Sequence, residues 1–510
     1  MRAWRDRCRR AGRAPNAVRA LLLTLASLAA IMLPACATSW EPAPAVGLPE
    51  VREELRGVWI ATVDNIDWPS RPGLSEADQK REALAILDRA DQVGLNAIFL
   101  QVRPTCDSMY ESSLEPWSAF LTGQSGRSPG YDPLAFWIDG AHARGMQLHA
   151  WVNPYRARHP KSIGTDAPSH VSRTMPDAVA TYGDYLWLDP GNARARAHTL
   201  GVVEDILKRY DVDGLTLDDY FYPYPIKGKA FPDQASYGAY TRAGGRLALA
   251  DWRRENTAAM VQDLHTLVQR VRPGAWFSIS PFGIWRPGNP APVKGFDAYE
   301  GLFADSRAWL REGRVDALHP QLYWKIDAPQ QPFGALLDWW RSQRASGAAL
   351  WVALYASRTD PAGDNWGAGE ILRQIELARS RGDVGGHVLF SMKAIMNDWA
   401  GLSGVLEHNA YPQAATPPPC PRARSLNPAP SRLEGRSSGG ALDASWGPAE
   451  HVSRWVVYER RGGAWTSRLS GRTAEEIPLR NDRGRLEALG IAAVDGAGRV
   501  WPARVIEPAR

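Results

Sequence analysis

Hydrophobic and polar positions along the chain follow a repeating order of strand and helix. Short apolar runs are typical of buried strands, and several are followed by stretches whose apolar positions recur with the helical period. Eight strands are predicted, within 55–63, 97–103, 147–153, 213–223, 276–280, 316–324, 350–355 and 387–392. Amphipathic helices are predicted between them, at 76–93, 133–144, 193–210 and 248–271.

This alternation predicts an α/β fold with parallel strands, because parallel neighbours need a crossover connection, usually a helix. Eight units favour closure into a (β/α)8 TIM barrel over an open doubly wound sheet. No Gly-x-Gly-x-x-Gly turn follows the first strand, which disfavours a dinucleotide-binding fold. We therefore predict a barrel over residues 55–411.

The fourth strand ends in two adjacent carboxylates. Leu215 and Leu217 alternate with Thr216 and Asp218, so the leucines should face the helices of a closed barrel. Thr216 and Asp218 should then face the axis, with Asp218 and Asp219 at the carboxyl end, where barrel enzymes carry out their chemistry. The alternative is an aspartate pair that caps a following helix.

The composition changes after the barrel. Residues 412–432 are rich in proline and are predicted to form a stiff linker. Residues 433–510 show one strand pattern after another, separated by turns, and resemble a small fibronectin type III-like β-sandwich. The predicted strands lie at 441–446, 454–461, 465–469, 489–494 and 500–506.

The first 35 residues have the pattern of a lipoprotein signal peptide. A basic region precedes an apolar core at 20–33, which is too short to span a bilayer comfortably. Residues 33–36 (Leu-Pro-Ala-Cys) resemble a bacterial lipobox, so Cys36 is expected to carry lipid. The alternative is secretion with cleavage nearby. Residues 36–54 are expected to form a tether.

An anchored chain of this kind contacts the membrane through its lipid alone. Ala37, rather than aspartate, follows Cys36, which by analogy with other lipoproteins favours the outer membrane, facing the periplasm. The first 35 residues hold seven arginines and one aspartate, a charge of +6, so the remainder of the +5 total is near −1. This balance argues against nucleic-acid binding.

Few residues are available for metal or redox chemistry. Beyond Cys36 only Cys106 and Cys420 remain, which excludes a cysteine-based zinc site and leaves open whether the two thiols pair. The histidines are scattered and no His-Glu-x-x-His motif occurs, which disfavours a metal-dependent deacetylase. We expect no metal and no cofactor.

Polar residues recur at the predicted carboxyl ends of the strands. Strands of a parallel barrel normally read as nearly continuous apolar runs, so polar residues on several strand ends together indicate a site. Single members, such as Gln101 and Gln321, could instead form hydrogen bonds within the barrel. The residues in question are Gln101, Arg103, Asn153, Asp218, Asp219, His319, Gln321, Tyr323, Tyr355 and Lys393.

Aromatic residues fall in or beside the loops at the same end. Flat rings offer apolar faces on which the C–H face of a sugar can lie, although each ring singly could serve only to pack its loop. A barrel mouth with carboxylates, amides and aromatic rings indicates a carbohydrate ligand. The aromatic residues are Trp68, Tyr155, Tyr220, Tyr222, Trp285 and Trp324.

The order of these motifs resembles the glycosyl-hydrolase-like family 10. The resemblance covers about residues 50–410 and rests on Leu-Arg-Gly-Val-Trp at 55–59, Gln-Val-Arg-Pro at 101–104, Trp-Val-Asn-Pro at 151–154, Trp-Leu-Asp-Pro at 187–190, the stretch 213–223 and His-Pro-Gln-Leu-Tyr-Trp at 319–324. It implies a bacterial lipoprotein with a TIM-barrel core, of a kind in which some members cleave the glycan strands of peptidoglycan.

Hydrolysis of a glycosidic bond usually needs two carboxyl groups. Adjacent Asp218 and Asp219 would raise each other's proton affinity, so one could act as acid and the other as partner carboxylate. A chitinase pattern fails, because Thr216 and Tyr220 replace acidic residues of that motif. An attack by the substrate's own N-acetyl group, oriented by Tyr323, is compatible with the pair.

Asp189 is a reserve second carboxylate, and its alternative role is a helix cap before residue 193. The expected function is a glycoside hydrolase that cleaves a cell-wall polysaccharide, and the alternative is a non-catalytic carbohydrate-binding lipoprotein of the cell envelope. The residues expected to bind substrate are Gln101, Arg103, Asn153, Tyr155, Asp189, Tyr220, Tyr222, His319, Gln321, Tyr323, Trp324 and Tyr355.

Overall fold

The computed structural model of the protein describes residues 38–344, 347–429 and 431–509. The predicted signal peptide and the predicted lipidation of Cys36 lie outside the described residues. Within the described part of the chain, no helix is long and apolar enough to cross a membrane.

Eight parallel strand positions close into a barrel, as predicted. The first strand pairs with the second and also with the eighth, for example Val58 with Leu389. Strand seven is interrupted at Trp351, and its two pieces pair with strands six and eight to complete the ring. The strands are Leu55–Ile60, Ala97–Arg103, Gln147–Val152, Gly214–Leu217, Trp276–Ile279, Ala317–Leu318, Ala349–Leu350 with Val352–Leu354, and Gly386–Leu389.

Strand six is shorter than the predicted 316–324. Pro320 has no N–H to donate to a ladder, and regular pairing ends at Leu318. Gln321 resumes the pairing as an isolated bridge to Phe282 and Ala353. The irregular backbone at this position brings the side chain of Gln321 to the barrel mouth.

Helices cover the outside of the barrel, and the four predicted ones are confirmed to within two residues at either end. Their starts carry caps; for example, Ser75 accepts a hydrogen bond from the Asp78 N–H, and Asn192 accepts from Arg194 and Ala195. The α-helices are Glu76–Gln92, Ala119–Thr122, Pro133–His142, Val171–Thr174, Ala193–Arg209, Gln234–Arg242, Leu249–Val271, Ala298–Gly301, Ser306–Arg311, Phe333–Gln343, Ala368–Ser380, Met392–Met396 and Leu402–Val405.

Two apolar layers lie on the two faces of the barrel strands. Leu215 and Leu217 belong to the outer layer, between strands and helices, as their alternation predicted. The inner layer fills the barrel axis with large rings, including those of Trp59, Phe99 and Trp351. The mouth of the barrel is therefore floored by packed aromatic side chains rather than by an open channel.

The long connection after strand three contains a small antiparallel sheet that the sequence did not indicate. Its strands are Arg156–Arg158, Val179–Tyr182 and Tyr185–Leu188, with the last in the middle. This sheet holds the chain segment that follows Asn153 beside the barrel mouth.

Within the described residues, the C-terminal region forms the predicted small all-β domain, an antiparallel half-barrel to which it contributes eight strands and Thr38–Ala43 a ninth. Its core holds residues from both halves of the sheet, among them Trp446, Trp455 and Ile491. The strands are Thr38–Ala43, Arg432–Ser438, Ala441–Gly447, Val452–Arg461, Ala464–Ser470, Ala474–Pro478, Arg480–Asn481, Gly484–Asp495 and Arg504–Pro508.

The prediction of a tether at 36–54 is wrong for Thr38–Ala43. This segment is a strand that pairs with Arg432–Ser438 at its start and with Arg504–Pro508 over the rest of its length. It joins the two halves into one continuous sheet, whereas a sandwich would keep two separate sheets. Trp40 is buried in the domain core, and this burial of an apolar side chain stabilises the pairing of the strand.

Part of the predicted linker at 412–432 packs against the barrel. Ala415–Thr416 pairs with Arg52–Glu53, and the thiol of Cys420 is buried beneath the barrel axis. Cys106 and Cys420 are both free thiols.

The β domain lies under the amino ends of the barrel strands. Arg454 donates to the backbone oxygen of Gly145, just before strand three, over 2.8 Å. Arg422, in the segment that leads to this domain, donates to Asp316, just before strand six. The domain is therefore on the opposite side of the barrel from the mouth.

Candidate active site

A cavity of about 360 Å³ opens at the carboxyl ends of the barrel strands. It collects side chains from strands one, three, four, six, seven and eight, or from the loops that follow them. The lining residues are Trp59, Ala61, Val63, Asp64, Ile66, Trp151, Arg156, His159, Asp218, Asp219, Tyr220, Tyr224, Gln321, Tyr323, Tyr355 and Phe390.

Asp218 is buried and held by N–H donors. Its Oδ2 accepts hydrogen bonds from Trp151 Nε1 at 3.0 Å and from Asn153 Nδ2 at 3.2 Å, and its Oδ1 accepts from the Tyr220 N–H at 3.2 Å. Burial raises the pKa of Asp218 to about 6, opposed by the positive charge of Arg156 and reinforced by Asp219. Asp218 therefore titrates in a range useful for acid–base chemistry.

Asp219 has a different set of partners. Its Oδ2 accepts from the hydroxyl of Tyr224, and its Oδ1 accepts from Gln321 Nε2 at 3.1 Å. Burial raises its pKa, and the two hydrogen bonds work in the opposite direction. A tyrosine hydroxyl can both donate and accept, so Tyr224 can keep its hydrogen bond when Asp219 gains a proton.

Arg156 brings a buried positive charge to the wall of the cavity. Its side chain is 4% exposed, its Nε donates to the Pro104 oxygen at 3.0 Å, and its guanidinium lies 5.1 Å from the Tyr220 ring centre. Among the described residues no carboxylate lies within 4.0 Å of it. The charge is therefore left to act on the two aspartates through space.

Two further groups on the wall are neutral donors. His159 Nδ1 accepts from the Lys161 N–H at 3.2 Å, which leaves the proton on Nε2. Burial and the charge of Arg156 lower the pKa of His159 to about 4. Burial likewise raises the pKa of Tyr323 well above its ordinary value, so its hydroxyl keeps its proton. Both groups can donate hydrogen bonds to a ligand.

The structure brings about half of the predicted site residues to the cavity. Asn153 lies beneath it, with no exposed surface, and orients Asp218. The predicted residues that line the cavity are Asp218, Asp219, Tyr220, Gln321, Tyr323 and Tyr355.

Gln101 and Arg103, at the end of strand two, do not reach the cavity. Gln101 Oε1 accepts from the Val63 N–H at 2.9 Å and fixes the turn after strand one. Arg103 is buried and forms a two-pronged ion pair with Glu115, in which Nε lies 2.8 Å from Oε2. The structure gives both a role in holding the loops that form the mouth.

His319 and Asp189 also lie outside the cavity. His319 is buried in the barrel axis, 3.5 Å from Thr216 Oγ1, and burial lowers its pKa to about 3, so it is neutral. Asp189 Oδ1 accepts from the Gly191 N–H at 2.9 Å in the turn before a helix whose cap is Asn192. The reserve carboxylate is therefore a turn residue.

Tyr155, Tyr222 and Trp324 are packing residues of the loops. Tyr155 has no exposed surface, the hydroxyl of Tyr222 accepts from Asn256 at 3.2 Å, and Trp324 packs on Phe282 with ring centres 5.8 Å apart. None of the three lines the cavity.

The sequence reading missed Arg156, His159, Tyr224, Asp64 and the strand tryptophans Trp59 and Trp151. Trp59 and Trp151 belong to the motifs at 55–59 and 151–154. Their positions on strand faces directed to the barrel axis could have indicated that their indole N–H groups are near the site. The others lie in loops, where no local pattern marks them. No group of three or more His, Cys, Asp or Glu side chains able to hold a metal ion occurs among the described residues.

Comparison with known proteins identifies a family and relatives of the chain. The family model for glycosyl hydrolase-like 10 matches residues 54–357. The chain is 38% identical over 392 residues to the glycosyl hydrolase YngK of Bacillus subtilis (strain 168), covering 74% of this chain and 76% of that protein. It is 32% identical over 369 residues to the glycosyl hydrolase DigH of Escherichia coli (strain K12), covering 66% and 83%.

Among solved structures, the chain is similar to the catalytic domain of β-amylase from Paenibacillus polymyxa, with 13% identity, a TM-score of 0.47, and coverage of 71% of this chain and 99% of that one. The sequence matches, which span most of the barrel, identify an enzyme that hydrolyses glycosidic bonds. The chain belongs to the glycosyl hydrolase-like 10 family.

Proposed function

We propose that this enzyme cleaves a bacterial cell-wall polysaccharide, the glycan strands of peptidoglycan, with Asp218 and Asp219 as its catalytic pair. The observation that carries the proposal is a pair of adjacent, buried carboxyl groups with raised pKa values at the mouth of the barrel. Glycosidases need one carboxyl group that keeps a proton and one that carries charge.

The different hydrogen-bond partners of the two carboxyl groups support different roles for them. Asp218 is surrounded by N–H groups, which can only donate, so these hydrogen bonds favour its ionised form and oppose the burial that raises its pKa. Asp219 faces Tyr224, whose hydroxyl can turn to accept, so it is the better proton carrier. Asp219 is then the acid that protonates the leaving oxygen, and Asp218 is the partner carboxylate.

The remaining wall supports a substrate with an N-acetyl group. Tyr323 and His159 are neutral donors on the cavity wall, which suits a carbonyl oxygen held in place for attack on its own sugar ring. Asp218 would then accept a hydrogen bond from the amide N–H of the substrate and stabilise the charge that develops on the ring.

The direct test is digestion of purified glycan strands, with and without stem peptides, followed by mass spectrometry. Asp218→Asn and Asp219→Asn should each lower turnover by about 10²–10⁴-fold, the usual contribution of a positioned acid or base. Asp189→Asn serves as the control and should retain activity. Full turnover in both cavity variants would refute the assignment, and tight binding without cleavage by the wild type would favour a carbohydrate-binding role.

We further infer that Cys36 is lipidated and holds the enzyme in the cell envelope, at the outer membrane facing the periplasm. The support is the lipobox-like segment 33–36 and the Ala37 that follows it. Metabolic labelling with a fatty-acid analogue should mark the wild type and leave Cys36→Ser unmarked. Equal labelling of the two would contradict the inference.

A further inference from the structure

A second cavity, of about 330 Å³, lies beside the catalytic one, and Ile66 lines both. Two chain segments divide their side chains between the two cavities. The turn after strand one gives Asp64 to the catalytic cavity and Asn65 to the second, and the segment after strand eight gives Phe390 and Lys393 in the same way. We call the second cavity the side groove and define it by Ile66, Glu82, Ile86, Lys393, Met396 and Asn397.

The side groove combines an apolar floor with a polar rim. Ile66, Ile86 and Met396 supply the floor, and the Met396 side chain is 40% exposed. A single exposed apolar residue would mean little, but here it continues a surface that two isoleucines share. Pockets with an apolar lining and a few polar groups are typical of ligand sites.

The rim carries both kinds of hydrogen-bonding group. Lys393 and Asn397 can donate, while the carboxylate of Glu82 can accept and is already held by the N–H and hydroxyl of Ser70, at 3.0 and 2.6 Å. A pyranose ring presents an apolar C–H face edged by hydroxyl groups, so floor and rim match one sugar unit.

Asp67 fixes the spacing between the side groove and the catalytic cavity. Its Oδ2 accepts from the Ala61 N–H at 2.8 Å, and its Oδ1 accepts from Ser391 Oγ at 2.7 Å and from the Lys393 N–H at 2.8 Å. The ends of strands one and eight are thereby tied together. A preformed groove of this kind binds without the cost of ordering its walls.

We propose that the side groove binds a further sugar unit of the glycan chain whose cleavage site lies at Asp218 and Asp219. The inference rests on the proposed function and deepens it. The catalytic cavity is at the small end of the roughly 300–1,000 Å³ found for ligand pockets, so a polymer must continue beyond it. The chain passes over Ile66 into the side groove, where its next ring lies on Met396.

The test compares a short and a long glycan-strand oligosaccharide, a disaccharide that fills only the catalytic cavity and an octasaccharide. The double variant Met396→Ala, Asn397→Ala should lower kcat/KM on the octasaccharide about tenfold, which corresponds to roughly 1.4 kcal/mol. Its kcat/KM on the disaccharide should stay unchanged. An equal loss on both substrates, or no loss on either, would overturn the proposal.

Two control variants separate binding from folding. Leu84→Ala removes an exposed apolar side chain that lies on the helix Glu76–Gln92, outside the side groove. It should leave kcat/KM unchanged on both substrates. Met396→Leu keeps an apolar floor and should retain the preference for the octasaccharide. If Met396→Leu behaves like the double variant, the apolar floor is not what binds the sugar.

Failure of the proposed function would be visible separately, as a wild type that cleaves neither oligosaccharide. Equilibrium binding of the same two compounds then decides the inference. Tighter binding of the octasaccharide, lost in the double variant, supports the side groove, and equal affinity for both compounds refutes it.

Discussion

Trp151 Nε1 donates a hydrogen bond to Asp218 Oδ2 over 3.0 Å, so the third barrel strand orients the carboxylate carried by the fourth. Asn153, two residues further along, donates to the same carboxylate. Both side chains project from the third strand or its end, and neither can accept a proton from Asp218. These hydrogen bonds from a neighbouring strand favour the ionised form of Asp218 and oppose the burial that raises its pKa.

Replacing Trp151 by phenylalanine should remove this donor and leave the ring. We expect kcat/KM to fall about tenfold, because a hydrogen bond to a charged group contributes roughly 1.5–3 kcal/mol. The pKa of Asp218 should rise as well, which moves the acid limb of the pH–rate profile upward. Trp276→Phe is the control, since its buried indole N–H has no partner among the described residues. Identical pH profiles in both variants would contradict this role.

Arg156→Gln should raise the pKa of both Asp218 and Asp219, since the guanidinium charge lowers each of these pKa values. The acid limb of kcat/KM should shift upward by about one pH unit. Arg156→Lys keeps the charge and should shift the limb less, although it loses the planar fork. A profile that does not move in Arg156→Gln would show that the charge is screened from the pair.

Asp218 should make the folded enzyme less stable as pH rises. Its folded pKa of about 6 lies above its ordinary value of 3.8, so the stabilising contribution of protonated Asp218 is fully present below about pH 4 and is lost as pH rises through 6. The stability of Asp218→Asn relative to wild type should increase across this window by up to about 3 kcal/mol. Thermal or urea unfolding at several pH values measures the difference, and a constant difference would contradict the shift.

Arg422→Ala should lower the free energy of unfolding by removing a contact at the amino end of barrel strand six. Asp316 accepts from Arg422 Nη2 at 2.8 Å and from His265, and the loss of the guanidinium leaves a nearly buried carboxylate with one partner fewer. We expect unfolding to become easier by about 1–3 kcal/mol. Arg424→Ala, on the same segment and exposed, is the matched control. Equal midpoints of unfolding for the two variants would show that the contact contributes little.

The sequence could predict elements whose signals are local. Strand alternation placed Leu215 and Leu217 in the outer layer and Asp218 at the mouth, and apolar spacing placed the helix Glu76–Gln92 within one residue. The partners with which buried polar side chains form hydrogen bonds and ion pairs could not be predicted in this way. Arg103 looked like a site residue until the structure paired it with Glu115, which lies in a loop.

Long-range pairing explains the other misses. Thr38 pairs with Ser437, and a strand that depends on a partner some 400 residues away leaves no local pattern by which to find it. Arg156 reaches the cavity because Arg156–Arg158 joins a small sheet with Tyr185–Leu188. The order of strands in a closed barrel can be inferred from repetition, whereas the path of its loops cannot.

The strand Thr38–Ala43 has a consequence for how the enzyme would stand on a membrane. Thr38 is two residues beyond Cys36, a reach of about 7 Å. A lipid on Cys36 would therefore hold the half-barrel domain close to the bilayer surface. Since that domain lies beneath the barrel, the opening with Asp218 would then face away from the lipid.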